Sequence, residues 1–147
     1  MRIVIDTNIV FSSILNSNSK LARILLLPKS RFNFYSTEQL LAEIEQHKHK
    51  IKALTDFSDV ELERIIKMIT NKIRFINVRL ISKENYQLAE ALTKDIDEDD
   101  TEFVALTEQI KGKLWSGDKE LQKGLIQKGW NKFITTDELF LKTVKRS

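Results

Sequence analysis

The sequence of 147 residues contains no cysteine, only one proline and only four glycines. The lack of cysteine excludes disulfides, thiolate zinc sites and cysteine nucleophiles. The scarcity of proline and glycine leaves little room for long linkers. No apolar run is long enough for a transmembrane helix, and the apolar start is too short for a signal peptide. We therefore expect a cytoplasmic protein with no membrane partner.

The residues that are present are typical of one soluble globular domain over residues 1–147. Hydrophobic residues make up 41% of the chain and charged residues 31%, and this length suits a single core. The net charge is +3, with an excess of basic residues before residue 95 and of acidic residues after it. A largely basic chain with one concentrated acidic region suits a polyanionic partner. Scattered, solvated lysines and arginines account for the same charges.

Strand-like and helix-like patterns alternate along the chain, which favours a parallel sheet covered by helices on both faces. An early helix is predicted to end before Pro28, and Gly112 is predicted to end a later one. The stretch 47–57, rich in lysine and histidine, is interpreted as a connection. The predicted strands are 2–5, 32–35, 74–78, 113–116 and 132–134.

Acidic residues recur where this arrangement places the carboxyl edge of the sheet. Asp6 follows the first strand and Asp118 the fourth, while Glu43 lies in the helix after the second strand. Asp100 belongs to the stretch 95–102, in which six of eight residues are acidic. Open α/β sheets bind their ligands at this edge, so these carboxylates are candidates for a shared site.

Each acid also has a simpler interpretation. Asp6 and Asp118 are suited to cap the helices that follow them. Glu43, taken alone, is typical of a solvated helix face, and the acids from Asp97 to Asp100 are favourable at a helix N-terminus. Repeated acids at one edge of the sheet are harder to explain by capping alone.

If the carboxylates converge, they require a cation. Two unit charges about 4 Å apart repel by roughly 4 kcal/mol at an effective dielectric constant of about 20. Oxygen ligands without histidine or cysteine suit Mg²⁺ or Mn²⁺. Such ions polarise a phosphodiester and activate water. The hypothesis from the residues is therefore metal-assisted phosphoryl hydrolysis.

The sequence resembles the PIN-domain nucleases from residue 2 to about residue 141. The matching segments keep the order and spacing of that family. They are Ile3-Val4-Ile5-Asp6-Thr7-Asn8, Leu40-Leu41-Ala42-Glu43-Ile44, Asp99-Asp100-Thr101-Glu102-Phe103-Val104-Ala105-Leu106-Thr107 and Leu114-Trp115-Ser116-Gly117-Asp118-Lys119-Glu120-Leu121. The last two are the more specific. The chain departs from the family at Glu102, where relatives often have proline or histidine.

The resemblance implies a three-layer α/β/α fold with a parallel sheet of about five strands in the order 3-2-1-4-5. It also implies cleavage of single-stranded RNA, as in many toxins of toxin–antitoxin pairs, so an antitoxin is an expected partner and a second copy of the chain another. The partner RNA is single-stranded or structured.

Carried over position by position, the resemblance makes Asp6, Glu43, Asp100 and Asp118 the catalytic and metal-binding acids for one or two ions. Asp6, Asp100 and Asp118 would hold the principal ion, and Glu43 with Asp6 a second, weaker one. The remaining predicted residues support the carboxylates or add to them: Thr7, Asn8 and Ser116 as polar neighbours, Asp97 and Asp99 as extra acids.

Other side chains are weaker candidates for RNA contacts. Lys48, Lys50 and Lys119 could meet phosphates, as could His47 and His49, although solvated positions are commoner for such residues. The two tryptophans, Trp115 and Trp130, could stack on bases, but packing explains them more simply.

Two alternatives remain open from the sequence. The first is a PIN-fold module that binds RNA or protein without catalysis. The second is a receiver-type signalling domain, which also binds Mg²⁺ at a sheet edge. That class expects an acidic pair after the first strand and a lysine after the fifth, and this chain has neither.

Overall fold

A computed structural model describes residues 1–27 and 32–144. Pro28, where a helix end was predicted, lies outside these ranges. Within them, none of the helices combines the length and apolar character needed to cross a membrane. The strands are β1 (Arg2–Ile5), β2 (Asn33–Thr37), β3 (Ile73–Ile76) and β4 (Lys113–Trp115). The α-helices are α1 (Thr7–Leu15), α2 (Lys20–Leu25), α3 (Glu38–Gln46), α4 (Lys48–Ala53), α5 (Asp59–Thr70), α6 (Lys83–Thr93), α7 (Thr101–Ile110), α8 (Lys119–Gln127) and α9 (Thr136–Val144).

The four strands form one parallel sheet in the order β3-β2-β1-β4. In the central strand β1, Ile3, Val4 and Ile5 are all fully buried. Consecutive residues of a strand point to opposite faces, so both faces of β1 are covered. Helix α7 packs on β1, β2 and β4, and α6 packs on α7, while α1 contacts α2, α3, α4 and α5. The predicted α/β fold with helices around a parallel sheet is confirmed.

The predicted fifth strand is reduced to a single parallel bridge between Leu114 and Phe133. The Leu114 amide donates to the Lys132 carbonyl at 2.7 Å, and the Ile134 amide donates to the Leu114 carbonyl at 3.0 Å. The chain then leaves the sheet, because the Thr135 hydroxyl accepts a hydrogen bond from the Glu138 amide at the start of α9. The segment has the predicted place beside β4, but the described sheet has four strands.

The stretch 47–57 is not simply a connection, since it contains helix α4. Ile51 is buried in the core, and Lys48 and Lys52 pair with Glu63 and Asp59 of α5. One buried apolar residue in a six-residue helix leaves no periodic pattern in the sequence. Burial of Ile51 against neighbouring helices therefore accounts for a helix that the pattern did not indicate.

Two other boundaries differ from prediction for local reasons. Strand β3 ends at Ile76, because the Asn77 side chain accepts from the Arg79 amide and starts a 3-10 turn over Val78–Leu80. At the end of α7 the left-handed residue is Lys111, with φ of 55°, and not the predicted Gly112.

Gly112 has a different role from the predicted one. A Cβ atom at this position would lie 2.7 Å from the Arg2 carbonyl oxygen. Glycine is thus required here because β1 passes close to the backbone, and any side chain would push the two segments apart.

Candidate metal centre

Asp6 lies where β1 passes into α1. Its Oδ1 accepts a hydrogen bond from the Ile9 amide at 3.1 Å, so it caps α1 as the simpler interpretation expects. Its Oδ2 is buried and has no hydrogen-bond partner among the described residues, and the side chain as a whole is 1% exposed. Capping therefore explains one carboxylate oxygen and leaves the other oxygen without a partner.

Asp118 reaches the same place from the neighbouring strand. Ile5 pairs with Trp115 in the parallel register of β1 and β4, so the residues that follow these strands lie side by side. Oδ1 of Asp118 caps α8 by accepting from the amides of Glu120 and Leu121 at 3.0 and 3.1 Å. The predicted supporting residue Ser116 contributes through its hydroxyl, which accepts from the Asp118 amide at 3.1 Å.

The acidic turn before α7 brings the third group. Residues Glu98–Asp100 form a 3-10 turn, and Asp97 caps it by accepting from the Asp99 amide at 3.0 Å. Asp100 is 8% exposed. Asp97, Asp100 and Asp118 each place a carboxylate oxygen within 4.8 Å of the others. Asp97, predicted only as an extra acid, is thus a full member of this cluster.

Glu43 approaches from the second turn of α3 and is held there by Gln39. The Gln39 Nε2 donates to Glu43 Oε1 at 2.6 Å and to the Asp99 carbonyl at 3.0 Å. Sequence reasoning missed Gln39. The only signal available was its place four residues before Glu43, where two side chains share a helix face.

These side chains share one cavity of about 140 Å³. The structure brings together all four acids predicted for the site, and two of the three predicted supporting residues line the cavity with them. No basic residue lines it among the described residues. The lining residues are Asp6, Thr7, Asn8, Glu43, Asp97, Asp99, Asp100, Phe103 and Asp118.

The crowding of carboxylates changes their acidity. Burial, more than any other cause, raises the pKa of Asp6 to about 6, and the Asp118 charge adds to it, against the Ser116 hydroxyl and the Ile9 amide. Burial likewise raises the pKa of Asp100 to about 8, followed by the charges of Asp97, Asp6 and Asp118. Without a cation, the site resists ionisation.

The donor set fits a hard divalent cation. Three clustered carboxylates, an unpartnered buried Asp6 oxygen and a cavity free of basic side chains among the described residues offer oxygen ligands alone. Mg²⁺ and Mn²⁺ prefer such ligands. Among the described residues, Asp97, Asp100 and Asp118 are the acids close enough together to hold one ion. Asp6 and Glu43 line the same cavity but are not members of that three-residue cluster.

The unusual Glu102 lies beside the centre and does not line its cavity. Burial raises the pKa of Glu102, the Thr37 hydroxyl opposes this, and the Glu43 charge adds to it. Glu102 therefore adds negative charge behind Glu43 without becoming one of the clustered ligands.

The residues predicted for RNA contact differ in their availability. Lys48 pairs with Glu45 at 3.0 Å and with Glu63, so its charge is already matched. Lys50 and Lys119 are exposed and make no ion pair within the described residues. Lys119 directly follows Asp118, which places it next to the cavity, and it is the stronger of these candidates.

The aromatic candidates pack inside the protein. The His47 ring contacts Phe11 edge to face, with centroids 5.7 Å apart. Trp115 is fully buried, and its Nε1 donates to the Thr136 hydroxyl at 2.9 Å. Trp130 is 6% exposed and donates to Glu108. Neither tryptophan offers a free face for stacking on a base.

Comparison with known proteins shows which family this chain belongs to. The family model for the PIN domain matches residues 4–139. Among solved structures, the fold resembles the crystal structure of VapBC2 from Rickettsia felis bound to a DNA fragment from its promoter, with a TM-score of 0.66 and 13% sequence identity. That likeness covers 92% of this chain and 97% of the other. No curated protein matches in sequence. Because the family model spans most of its length, the chain belongs to the PIN-domain family.

Proposed function

We propose that the chain is a metal-dependent endoribonuclease that hydrolyses phosphodiester bonds in single-stranded RNA. The observation that carries this proposal is the cavity lined by Asp6, Glu43, Asp100 and Asp118 without a basic residue among the described ones. Membership of the PIN family supports a nuclease and disfavours a receiver-type domain. The proposal takes residues 1–147 as one domain that acts on RNA in the cytoplasm.

Each carboxylate has a distinct part in this proposal. Asp6, Asp100 and Asp118 hold the principal Mg²⁺ or Mn²⁺, with Asp97 as an additional ligand. Glu43, together with Asp6, holds a second ion. A bound ion of this kind supplies Lewis-acid polarisation of the phosphate and activation of water. Because ligands must lose their protons before a metal binds, the raised pKa of Asp100 would oppose metal binding at low pH.

The neighbouring polar residues have a supporting part in this proposal. Ser116 holds the backbone of Asp118 through its hydroxyl. The buried Thr7 hydroxyl has no hydrogen-bond partner among the described residues, and Asn8 lines the cavity beside it. Partners of this kind orient metal ligands and tune their basicity. The exposed Lys119 then meets an RNA phosphate at the edge of the cavity.

We also propose that the nuclease is the toxin of a toxin–antitoxin pair. The support is the likeness in fold to a VapBC2 complex. The product of an adjacent reading frame, purified together with this chain, is expected to inhibit RNA cleavage. A self-association of this chain is the alternative interaction, and size measurement of the isolated protein distinguishes the two.

The test is cleavage of an end-labelled, single-stranded RNA pool with Mn²⁺ or Mg²⁺. We expect Asp6→Asn and Asp100→Asn to lower the cleavage rate at least about a hundredfold, because losing even a partner of a ligand costs ten- to a hundredfold. Asp56→Asn is the matched control, since Asp56 is exposed and does not line the cavity. Thermal melting in EDTA shows that each variant is folded.

Two results would contradict the proposal. Cleavage that persists in excess EDTA would exclude the metal mechanism. Failure of the wild-type protein to cut any RNA in the pool with either metal would exclude the nuclease and favour a PIN-fold module that only binds RNA or protein.

A further inference from the structure

The Gln39 amide connects helix α3 to the acidic turn before α7. It donates to the Glu43 carboxylate on α3 at 2.6 Å and to the Asp99 carbonyl, 60 residues away in the sequence, at 3.0 Å. Asp99 belongs to the turn that carries Asp97 and Asp100. One side chain thus ties the helix that presents Glu43 to the turn that presents the clustered acids.

The chemistry of this link suits an amide. Both contacted atoms are hydrogen-bond acceptors, and the amide nitrogen supplies two hydrogens without a charge. A lysine here would neutralise Glu43 and repel a cation, whereas a glutamate would repel Glu43 and could not donate to the carbonyl. Gln39 therefore restrains Glu43 and keeps the negative charge that a cation needs.

The hydrogen bond from Gln39 occupies one carboxylate oxygen of Glu43 and leaves the other free. Oε1 accepts from Gln39, whereas Oε2 accepts no hydrogen bond from any described residue. Glu43 lines the same cavity as Asp6. Without the Gln39 contact its carboxylate would sample several rotamers, and ordering it would oppose ion binding.

We propose that Gln39 is a positioning residue, which acts through Glu43 to set the affinity of the second ion. This inference rests on the proposed function, because it takes Glu43 as a ligand of that ion. Gln39 touches neither substrate nor metal in it. Its contribution is the fixed rotamer of Glu43 and a fixed distance between α3 and the acidic turn.

The test measures Mn²⁺ binding by electron paramagnetic resonance, which does not depend on activity. Glu43→Gln first identifies the dissociation constant that Glu43 controls. We expect Gln39→Met, which keeps the length and helix propensity but removes the donor, to raise the same constant about tenfold. Gln46→Met is the control, since Gln46 is exposed at the end of the same helix.

A double-mutant cycle separates positioning from a general structural effect. We expect Gln39→Met to have no further effect on Mn²⁺ binding in the Glu43→Gln background. An equal effect in both backgrounds, or no effect in either, would overturn the inference. Gln39→Asn, which keeps the amide but is one methylene too short to reach, is expected to reproduce Gln39→Met if the latter melts early in EDTA.

The outcome also distinguishes this inference from the proposed function. If wild-type protein binds no Mn²⁺, the proposed metal site fails and the inference falls with it. If wild-type protein binds Mn²⁺ but Glu43→Gln leaves binding unchanged, the second-ion site and the inference fail while the principal site stands. If Glu43→Gln weakens binding and Gln39→Met does not, the proposed site stands and the role of Gln39 alone is wrong.

Discussion

The two ends of helix α7 shift the pKa of their acidic side chains in opposite directions. At the start, Asp100 is buried among Asp6, Asp97 and Asp118, and its pKa is raised to about 8. Near the far end, Glu108 accepts from Lys132 Nζ at 2.8 Å and from Trp130 Nε1 at 2.6 Å. Burial opposes ionisation of Glu108, but these hydrogen bonds outweigh it and lower the pKa.

Glu108 and the clustered acids at the start of α7 have different surroundings and therefore different effects on the fold. Glu108 has its partners inside the protein, and it fixes the segment after α8 against α7. Asp97 and Asp100 lie near Asp6 and Asp118, and none of these four acids pairs with a cation among the described residues. Glu108 therefore stabilises the fold, whereas the clustered acids without partners destabilise the metal-free protein.

The largest effect is expected for the pH dependence of metal-free stability. The raised pKa of Asp100 means that its contribution to stability is full below about pH 4 and is lost as the pH rises toward 8. Asp100→Asn stays neutral, so its free energy of unfolding relative to wild type should grow by roughly 5 kcal/mol over that range. Urea unfolding in EDTA at several pH values measures the difference. A constant difference from pH 4 to 8 would show that Asp100 titrates normally.

Glu108→Ala is expected to have the next largest effect, in the opposite direction. It leaves the indole N–H of the buried Trp130 and the Lys132 ammonium without their acceptor, which lowers the free energy of unfolding by about 2 kcal/mol. Urea unfolding at pH 7 in EDTA measures it, with the exposed Glu90→Ala as control at within about 0.5 kcal/mol. Equal losses in the two variants would refute the structural role of Glu108.

The smallest expected effect is the stabilisation by metal, compared between variants at the two ends of α7. Mg²⁺ or Mn²⁺ at ten times its Kd should stabilise the wild-type protein by about 1.4 kcal/mol. Glu108→Ala, although less stable, should gain the same amount, whereas Asp100→Asn should gain little. Differential scanning calorimetry with metal and with EDTA gives both values. If Glu108→Ala lost the metal effect as well, the two ends of α7 would not be independent.

The sequence predicted the part of the fold that rests on apolar pattern. The buried run Ile3–Ile5 places β1 at the centre of the sheet, and residues that follow β1 and β4 meet at one edge. The place of Asp6 and Asp118 was therefore readable from sequence. The capping interpretation of Asp6 is confirmed for Oδ1, whereas its role as a metal ligand stays a prediction, which the unpartnered Oδ2 leaves room for.

What escaped prediction depends on contacts between distant segments. Helix α4 is held by the burial of Ile51 and by packing on α1 and α3, and the fifth strand is cut short by the cap that starts α9. Gln39 meets Asp99 only after folding, and a glutamine on a helix carries no signal of its own. The place of Asp97 among the clustered acids follows from the 3-10 turn, whose geometry the run of acids did not specify.

Because β1 lies at the centre of the sheet, the sheet can be completed only late in the synthesis of the chain. Strand β1 pairs on one side with β2 and on the other with β4, which begins at Lys113. The cavity likewise combines Asp6, which follows β1, with Asp118, which follows β4 more than a hundred residues later. A nascent chain therefore completes the sheet and the acidic cavity at nearly the same moment, and fragments that stop before β4 leave one side of β1 unpaired.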